Sequence, residues 1–159
     1  MRYILIRHGQ SDIGQGSQDE SPLNARGISL SEWLCKNLDL QGSVTLLAED
    51  CERCRQTLGP LSKRLKRGIK THKSFTRCKG RIATELPQIL STAAEGEQNV
   101  VYCYRREALV GLNSFFGLNI LQELHLTKDD LYQTIVVLEK NNSGWHVANT
   151  IDNGHPKEP

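Results

Sequence analysis

The sequence predicts an α/β fold of three layers: a mostly parallel central sheet with helices on both faces and a C-terminal antiparallel hairpin. Short apolar runs alternate along the chain with longer stretches in which apolar residues recur every three or four positions. Strands that alternate with helices in this way pair in parallel. Near the C-terminus, two strand-like stretches flank Asn141-Asn142-Ser143-Gly144, whose residue types are typical of a hairpin turn.

The strands are predicted from short runs that are apolar or that alternate between apolar and polar residues. They are Tyr3–Ile6, Val44–Ala48, Ile69–His72, Asn99–Tyr104, Tyr132–Glu139 and Trp145–Asn149, the last at a sheet edge. The helices are predicted from apolar residues on one face, over Ser29–Leu38, Cys54–Leu65, Thr84–Ala94 and Glu107–Phe116. Favourable helix ends are Ser29 with Glu32 as a capping box, Thr84 as an N-cap and Gly68 after a C-terminus.

The composition is that of one globular domain. The chain has 159 residues, of which 38% are hydrophobic and 24% charged, values typical of a domain with a single core. We predict one domain over residues 1–151 and a polar tail over residues 152–159, and we expect a monomer. The first residues include only four consecutive apolar ones, too few for a signal peptide or a membrane span. We therefore expect a cytoplasmic protein with no membrane partner.

The cysteines point to packing rather than to chemistry. Their number, five, is odd, which agrees with a reducing compartment. Cys51 and Cys54 form a C-x-x-C pair, but no second pair follows at zinc spacing, and the pair begins a helical pattern without a thioredoxin-like context. We favour packing over metal binding or redox chemistry, and we expect neither a metal nor a cofactor.

A short polar motif directly follows the first strand. Arg7-His8-Gly9 places an arginine and a histidine at the carboxyl end of that strand, and Gly9 permits a sharp turn. In open α/β sheets, this edge is where ligands bind. An arginine offers a planar fork for phosphate, and a neutral imidazole offers a nucleophile.

This motif resembles that of the histidine phosphatase superfamily, whose fold is phosphoglycerate mutase-like. The chain's small size looks most like the short bacterial branch, the phosphohistidine phosphatases of the SixA type. Leu23, Asn24 and Gly27 look like the family's Leu-Thr-x-x-Gly segment. The resemblance implies that His8 is the nucleophile and becomes phosphohistidine, with Arg7 binding the phosphoryl group. Gln10 and Ser11 are further candidate donors to the substrate.

The stretch from Glu49 to Thr57 is similar to the family pattern Ser-Pro-x-x-Arg-Ala-x-Gln-Thr, which implies that Arg53 is a second phosphate-binding arginine. It departs from that pattern because Glu49-Asp50 replaces the Ser-Pro. Two acids close to an anion site oppose phosphate binding unless they point away.

A second departure concerns the strand Asn99–Tyr104. In the family this strand ends in a Ser-His pair whose histidine is a second phosphate ligand, but here no histidine occurs between His72 and His125. Counting forward from the strand puts Arg105 at that position, whereas counting back from Leu109-Val110-Gly111 puts Arg106 there. Near the position of the family's general acid the only acid is Glu85, for which favourable first-turn helix charge is the simpler interpretation.

A basic segment lies between Ser62 and Thr84. It holds nine basic residues and no acid: Lys63, Arg64, Lys66, Arg67, Lys70, Lys73, Arg77, Lys79 and Arg81. It is either a solvated surface or a surface that attracts a phosphorylated or acidic partner. We do not expect a nucleic-acid partner, because Phe75 is the only aromatic residue in this segment available for stacking.

Three functions follow from these observations. The first is a phosphatase with weak or selective turnover through His8, acting on phosphohistidine or another phosphorylated protein, or on a small phosphate ester. A departing imidazole needs less help from a general acid than an alkoxide does, so a phosphohistidine substrate suits the lack of a clear acid. The second is a pseudophosphatase that binds phosphate or a phosphoprotein without turnover. The third is a basic binding protein whose pocket is vestigial.

Overall fold

The computed structural model describes residues 1–12, 20–73, 79–128, 130–132 and 134–152. The strands are β1 (Arg2–Arg7), β2 (Val44–Glu49), β3 (Ile69–His72), β4 (Asn99–Tyr104), β5 (Thr134–Asn141) and β6 (Gly144–Asp152). The helices are α1 (Ala25–Asn37), α2 (Glu52–Leu65), α3 (Lys79–Ala94), α4 (Leu109–Phe116) and α5 (Ile120–Glu123). Two 3₁₀ turns cover Arg106–Ala108 and Asp130–Tyr132.

The strands form one sheet in the order β3-β2-β4-β1-β5-β6. The four strands from β3 to β1 are parallel, and β5 and β6 are antiparallel. The predicted fold class is therefore confirmed, including the C-terminal hairpin with its edge strand. Strand β6 extends to Asp152, the first residue of the predicted tail, and residues 153–159 lie outside the described residues.

Side chains alternate between the two faces of the sheet, and each face is covered by helices. Along β1, Ile4 and Ile6 pack against α1 and α2, whereas Tyr3 and Leu5 pack against α3 and α4. This alternation follows from the two-residue period of a strand. This alternation produces the three predicted layers. Because β3, β2, β4 and β1 are parallel, their carboxyl ends lie together at one edge of the sheet.

Helix α1 begins four residues before the predicted start. Asn24, rather than Ser29, is its N-cap, because the Asn24 side-chain oxygen accepts a hydrogen bond of 3.1 Å from the Gly27 N–H. A Cβ at Gly27 would lie 2.3 Å from the carbonyl oxygen of Gln10. Only glycine therefore lets α1 approach the loop that follows His8.

Two further helix ends differ from the prediction. Helix α3 begins at Lys79, before Thr84, because Ile82 continues the inward-facing stripe of Leu86 and Leu90 by one more turn. At the end of α2, Lys66 adopts the left-handed conformation (φ 53°), so the expectation that Gly68 has this role is wrong.

The remaining departures are smaller. A 3₁₀ turn occupies the start of the predicted helix at Glu107, so that α4 proper begins at Leu109. Strand β5 begins at Thr134, because Tyr132 belongs to the preceding 3₁₀ turn. In the part of the chain that the structure describes, every helix is too short or too polar to cross a lipid bilayer.

Candidate active site

His8 lies at the carboxyl end of β1, where the backbone still pairs with β4. Its N–H donates to the Tyr104 carbonyl at 3.1 Å, and the residue is only 4% exposed. The next residue turns sharply: the Gly9 N–H donates to the Thr57 hydroxyl at 2.8 Å. A Cβ at Gly9 would lie 2.8 Å from the Gly27 Cα, so this turn also requires glycine.

The imidazole of His8 is fixed in one tautomer. Its Nδ1 lies 2.7 Å from the Gly9 carbonyl oxygen. Since a carbonyl only accepts, Nδ1 carries the hydrogen, and Nε2 keeps its lone pair. The pKa of His8 is lowered to about 3: burial is the largest cause, the hydrogen bond to Gly9 opposes it, and the positive charges of Arg53, Arg7 and Arg105 add to the lowering. The geometry thus gives a neutral imidazole with a nucleophilic Nε2.

Arg7 is buried beside His8, with 5% of its surface exposed. Its Nη1 donates to the Lys128 carbonyl at 2.5 Å, and its guanidinium carbon lies 3.6 Å from the centroid of the Tyr132 ring. The buried Arg7 Nε has no hydrogen-bond partner among the described residues. A buried donor of this kind is an expected contact for an anionic oxygen.

Arg53 approaches from the first turn of α2. Its Nη1 donates to the Ser11 hydroxyl at 3.3 Å. The Thr57 hydroxyl donates to the Arg53 carbonyl at 2.6 Å while it accepts from the Gly9 N–H. Thr57 therefore ties the first turn of α2 to the loop after His8. Gln10 contributes through its backbone, since its carbonyl accepts from the Asn24 N–H at 2.9 Å.

The structure separates the two arginines between which the sequence leaves a choice. Arg105, at the end of β4, is 3% exposed, and its charge acts on His8. The side chain of Arg106 is 61% exposed, and its Nε lies 3.6 Å from the Glu107 carboxylate. The charges of Arg7, Arg53 and Arg105 thus all act on His8, while Arg106 lies at the surface.

The two acids that replace the Ser-Pro point in different directions. The Asp50 carboxylate is exposed and forms an ion pair with Arg55. Glu49 is completely buried, and its carboxylate accepts a hydrogen bond of 2.7 Å from the Arg105 backbone N–H. One acid therefore turns away from the site, and the other holds the backbone of a site residue.

Several neighbouring groups take structural roles. Burial raises the pKa of the Cys54 thiol, which packs beside Cys51 and Cys103 in the core. Glu85 forms an ion pair with Arg81 at the surface of α3. Within the described ranges, no group of three or more histidine, cysteine or acidic residues is arranged to hold a metal ion.

Tyr132 and the Lys128 carbonyl are site components that the sequence analysis missed. Both come from the segment between α5 and β5, far along the chain from Arg7. The sequence placed Tyr132 in a strand, and no motif links it to Arg7. In the sequence, Glu49 is only a departure from the family pattern. Its contact with the Arg105 backbone could not be predicted, because that contact depends on the pairing of β2 with β4.

The low pKa of His8 makes a prediction for stability. An unfolded histidine binds a proton below its usual pKa of about 6.5, whereas folded His8 remains neutral down to about 3. Acid therefore favours the unfolded state, and stability falls as the pH falls through this window. Between pH 7 and pH 4, the wild type should lose about 3 kcal/mol more unfolding free energy than a His8→Gln variant. Urea unfolding at both pH values measures this difference, and equal losses would contradict a neutral buried His8.

The sequence of residues 3–86 matches the family model for the histidine phosphatase superfamily (branch 1). Because this match covers more than half of the chain, the protein belongs to the histidine phosphatase superfamily, as the sequence predicted. The matched range contains Arg7, His8 and Arg53 and ends before β4. A comparison with curated proteins gives no match.

Solved structures of this fold resemble the chain over nearly its whole length. SixA from Agrobacterium tumefaciens is 19% identical with a TM-score of 0.65, and the alignment covers 94% of this chain and 97% of that one. The protein histidine phosphatase SixA complexed with tungstate is 18% identical with a TM-score of 0.62 (96% and 97% covered). The alpha-ribazole phosphatase of Shigella flexneri is 13% identical with a TM-score of 0.67 (100% and 100% covered). At these identities, the similarity establishes the phosphoglycerate mutase-like fold.

Proposed function

We propose that this protein is a phosphatase that transfers a phosphoryl group to His8 and then to water. The observation that carries this proposal is a buried, neutral imidazole that keeps its Nε2 lone pair, on which the charges of buried Arg7, buried Arg105 and half-buried Arg53 act. Three fixed positive charges stabilise the oxygens of a transferring phosphoryl group, and positioning with electrostatic stabilisation is the main requirement of this reaction.

The reaction has two steps. The Nε2 lone pair of His8 attacks phosphorus in line, the bond between phosphorus and the leaving group breaks, and a phosphohistidine forms. A water molecule then attacks phosphorus, the bond between phosphorus and Nε2 breaks, and inorganic phosphate leaves with the neutral imidazole restored. Arg7 and Arg53 bind the oxygens throughout, while Gln10 and Ser11 are further donors beside them.

The substrate class that the site fits best is a phosphohistidine in another protein. Glu85, the acid nearest in sequence to the family's general acid, is already paired with Arg81. Without a clear acid, a leaving group that departs readily is favoured, and imidazole is such a group. The similarity to SixA structures supports the same class. A small phosphate ester is the alternative substrate, and its alkoxide would leave more slowly.

A second candidate function is a pseudophosphatase. Arg105, buried near His8, favours this candidate, because a third permanent cation strengthens ground-state binding of an anion without offering an exchangeable proton. Under this alternative, the protein binds a phosphorylated partner through Arg7, Arg53 and Arg105 and does not release phosphate.

Two measurements on the same preparation distinguish these functions. Calorimetric titration with tungstate, the anion bound in the similar SixA structure, tests for the oxyanion site. Release of inorganic phosphate from a protein phosphorylated on histidine tests turnover. A phosphatase shows both, a pseudophosphatase shows tungstate binding alone, and absence of both refutes the oxyanion site. Arg55→Ala is a matched control for Arg53→Ala, since Arg55 lies on the same helix but pairs with surface acids.

The basic segment gives a prediction about capture of an acidic partner. Helix α2 begins at the edge that carries His8 and runs away from it for 14 residues, about 20 Å at about 1.5 Å per residue. Lys66 therefore lies at the opposite edge of the sheet, whereas exposed Lys73 follows β3 at the edge of the site. Arg77 and the Lys79 side chain lie outside the described residues.

Because salt screens exposed charges over about 10 Å at 0.1 M ionic strength, distance from the site decides which lysine matters. At an ionic strength of about 0.1 M, Lys73→Glu should slow capture of a phosphoprotein about two- to threefold, and the control Lys66→Glu should slow it less. Stopped-flow association rates at several salt concentrations measure both. Equal rates for the two variants would mean that the segment is only a solvated surface.

A further inference from the structure

We propose that Tyr132 is a positioning residue that sets the orientation of the Arg7 guanidinium and encloses one side of His8. The inference deepens the proposed function and rests on it, since Arg7 is taken as a phosphate-binding residue. It assigns a role to the segment between α5 and β5, to which none of the sequence motifs gives one.

Tyr132 contacts both Arg7 and His8. The guanidinium carbon of Arg7 lies 3.6 Å from the Tyr132 ring centroid, which places the cation on the ring face. The Tyr132 and His8 ring centroids are 5.7 Å apart with an interplanar angle of 75°, an edge-to-face arrangement. One side chain therefore packs against the nucleophile and against its neighbouring cation.

The ring fixes the guanidinium without using its donors. Stacking occupies a face of the guanidinium plane, whereas the five N–H groups lie around its edge. The Lys128 carbonyl accepts from Nη1 and prevents rotation within the plane. The buried Nε still lacks a hydrogen-bond partner among the described residues. The arrangement thus holds Arg7 rigidly and leaves edge donors for a phosphoryl oxygen.

The sheet topology explains why this tyrosine reaches the site. Strand β5 is antiparallel to β1, and their register pairs Leu5 with Val136. Residues further toward the end of β1 therefore lie opposite residues nearer the start of β5. The 3₁₀ turn Asp130–Tyr132, just before Thr134, is carried to the carboxyl end of β1, where Arg7 and His8 lie. This position is set by register and cannot be read from local sequence.

Two variants separate the contribution of the Tyr132 ring from that of its hydroxyl. Tyr132→Leu removes the aromatic face, whereas Tyr132→Phe keeps it. The affinity for tungstate should fall about five- to tenfold in Tyr132→Leu, and Tyr132→Phe should recover most of that loss. In an Arg7→Ala background, Tyr132→Leu should cost less than about twofold, because the partner that it positions is gone.

A measurement without any ligand keeps this inference separate from the proposed function. In wild-type protein, the ring should shift the NMR signal of the Arg7 Nε–H proton, and Tyr132→Leu should abolish that shift while Tyr132→Phe retains it. An unchanged signal in Tyr132→Leu would overturn the inference, as would an equal loss of tungstate affinity with and without Arg7. A signal that responds as expected in a protein that binds no tungstate would overturn the proposed function and leave the positioning contact standing.

Discussion

Replacing His8 by alanine should abolish formation of a phosphoenzyme and lower turnover by about 10⁴-fold or more, the scale of losing a nucleophile. The expectation rests on the fixed tautomer of His8, in which the Gly9 carbonyl holds Nδ1–H and leaves Nε2 as the nucleophile. Its low pKa keeps the imidazole neutral across the physiological range. Phosphodonor labelling followed by mass spectrometry should locate an acid-labile phosphate on His8 in the wild type.

His146→Ala is the matched control for this variant. His146 lies on the edge strand β6, is exposed, and should be dispensable for labelling. Tungstate binding separates loss of the nucleophile from loss of the site, because Arg7 and Arg53 remain in His8→Ala. Label that persists in His8→Ala at the wild-type level would refute the mechanism.

The parts of the site that could be predicted are those in which neighbours in sequence are neighbours in space. The run Tyr3–Ile6 defines a buried strand, and Arg7, His8 and Gly9 occupy its end for the same local reason. Arg53 was predicted from the resemblance of Glu49–Thr57 to the family pattern, and the short connection from β2 to α2 brings it to the same edge of the sheet. In each case, the edge of a parallel sheet fixes the position of the side chain.

The parts that could not be predicted depend on register and on helix capping. Tyr132 reaches Arg7 only because β5 pairs with β1 at one particular register. The start of α1 depends on competition between Asn24 and Ser29, both of which are favourable N-caps. The structure resolves that competition through the contact between Gly27 and the loop after His8, which joins residues distant in the sequence.

The choice between Arg105 and Arg106 belongs to the same class of problem. At the end of a strand, successive residues point in opposite directions, so an error of one residue exchanges a buried position for an exposed one. Arg105 continues the extended backbone of β4 (φ −96°, ψ 152°) and is buried, whereas Arg106 begins a 3₁₀ turn. The geometry therefore favours Arg105 as the residue in the place of the family's second histidine.

Arg105→His should raise turnover about tenfold or more and weaken tungstate binding. Where the family resemblance implies a short, neutral imidazole, Arg105 is long and permanently charged, and misplacement of a reacting group by about 1 Å can cost about a hundredfold in rate. The substitution should spare the backbone, because Glu49 holds Arg105 through its backbone N–H, which any residue supplies. The loss of a fixed cation explains the expected weaker binding.

Arg106→His is the control, since it adds the same imidazole one residue further on, at an exposed position. Initial rates on a phosphohistidine protein and tungstate affinities should be measured for both variants and for wild type. Opposite changes in turnover and affinity for Arg105→His alone support the reading of Arg105 as a cation that favours binding over turnover. If both quantities fall together in Arg105→His, the arginine is an essential part of this site. If Arg106→His is the variant that gains turnover, the placement of Arg105 beside the reacting group is wrong.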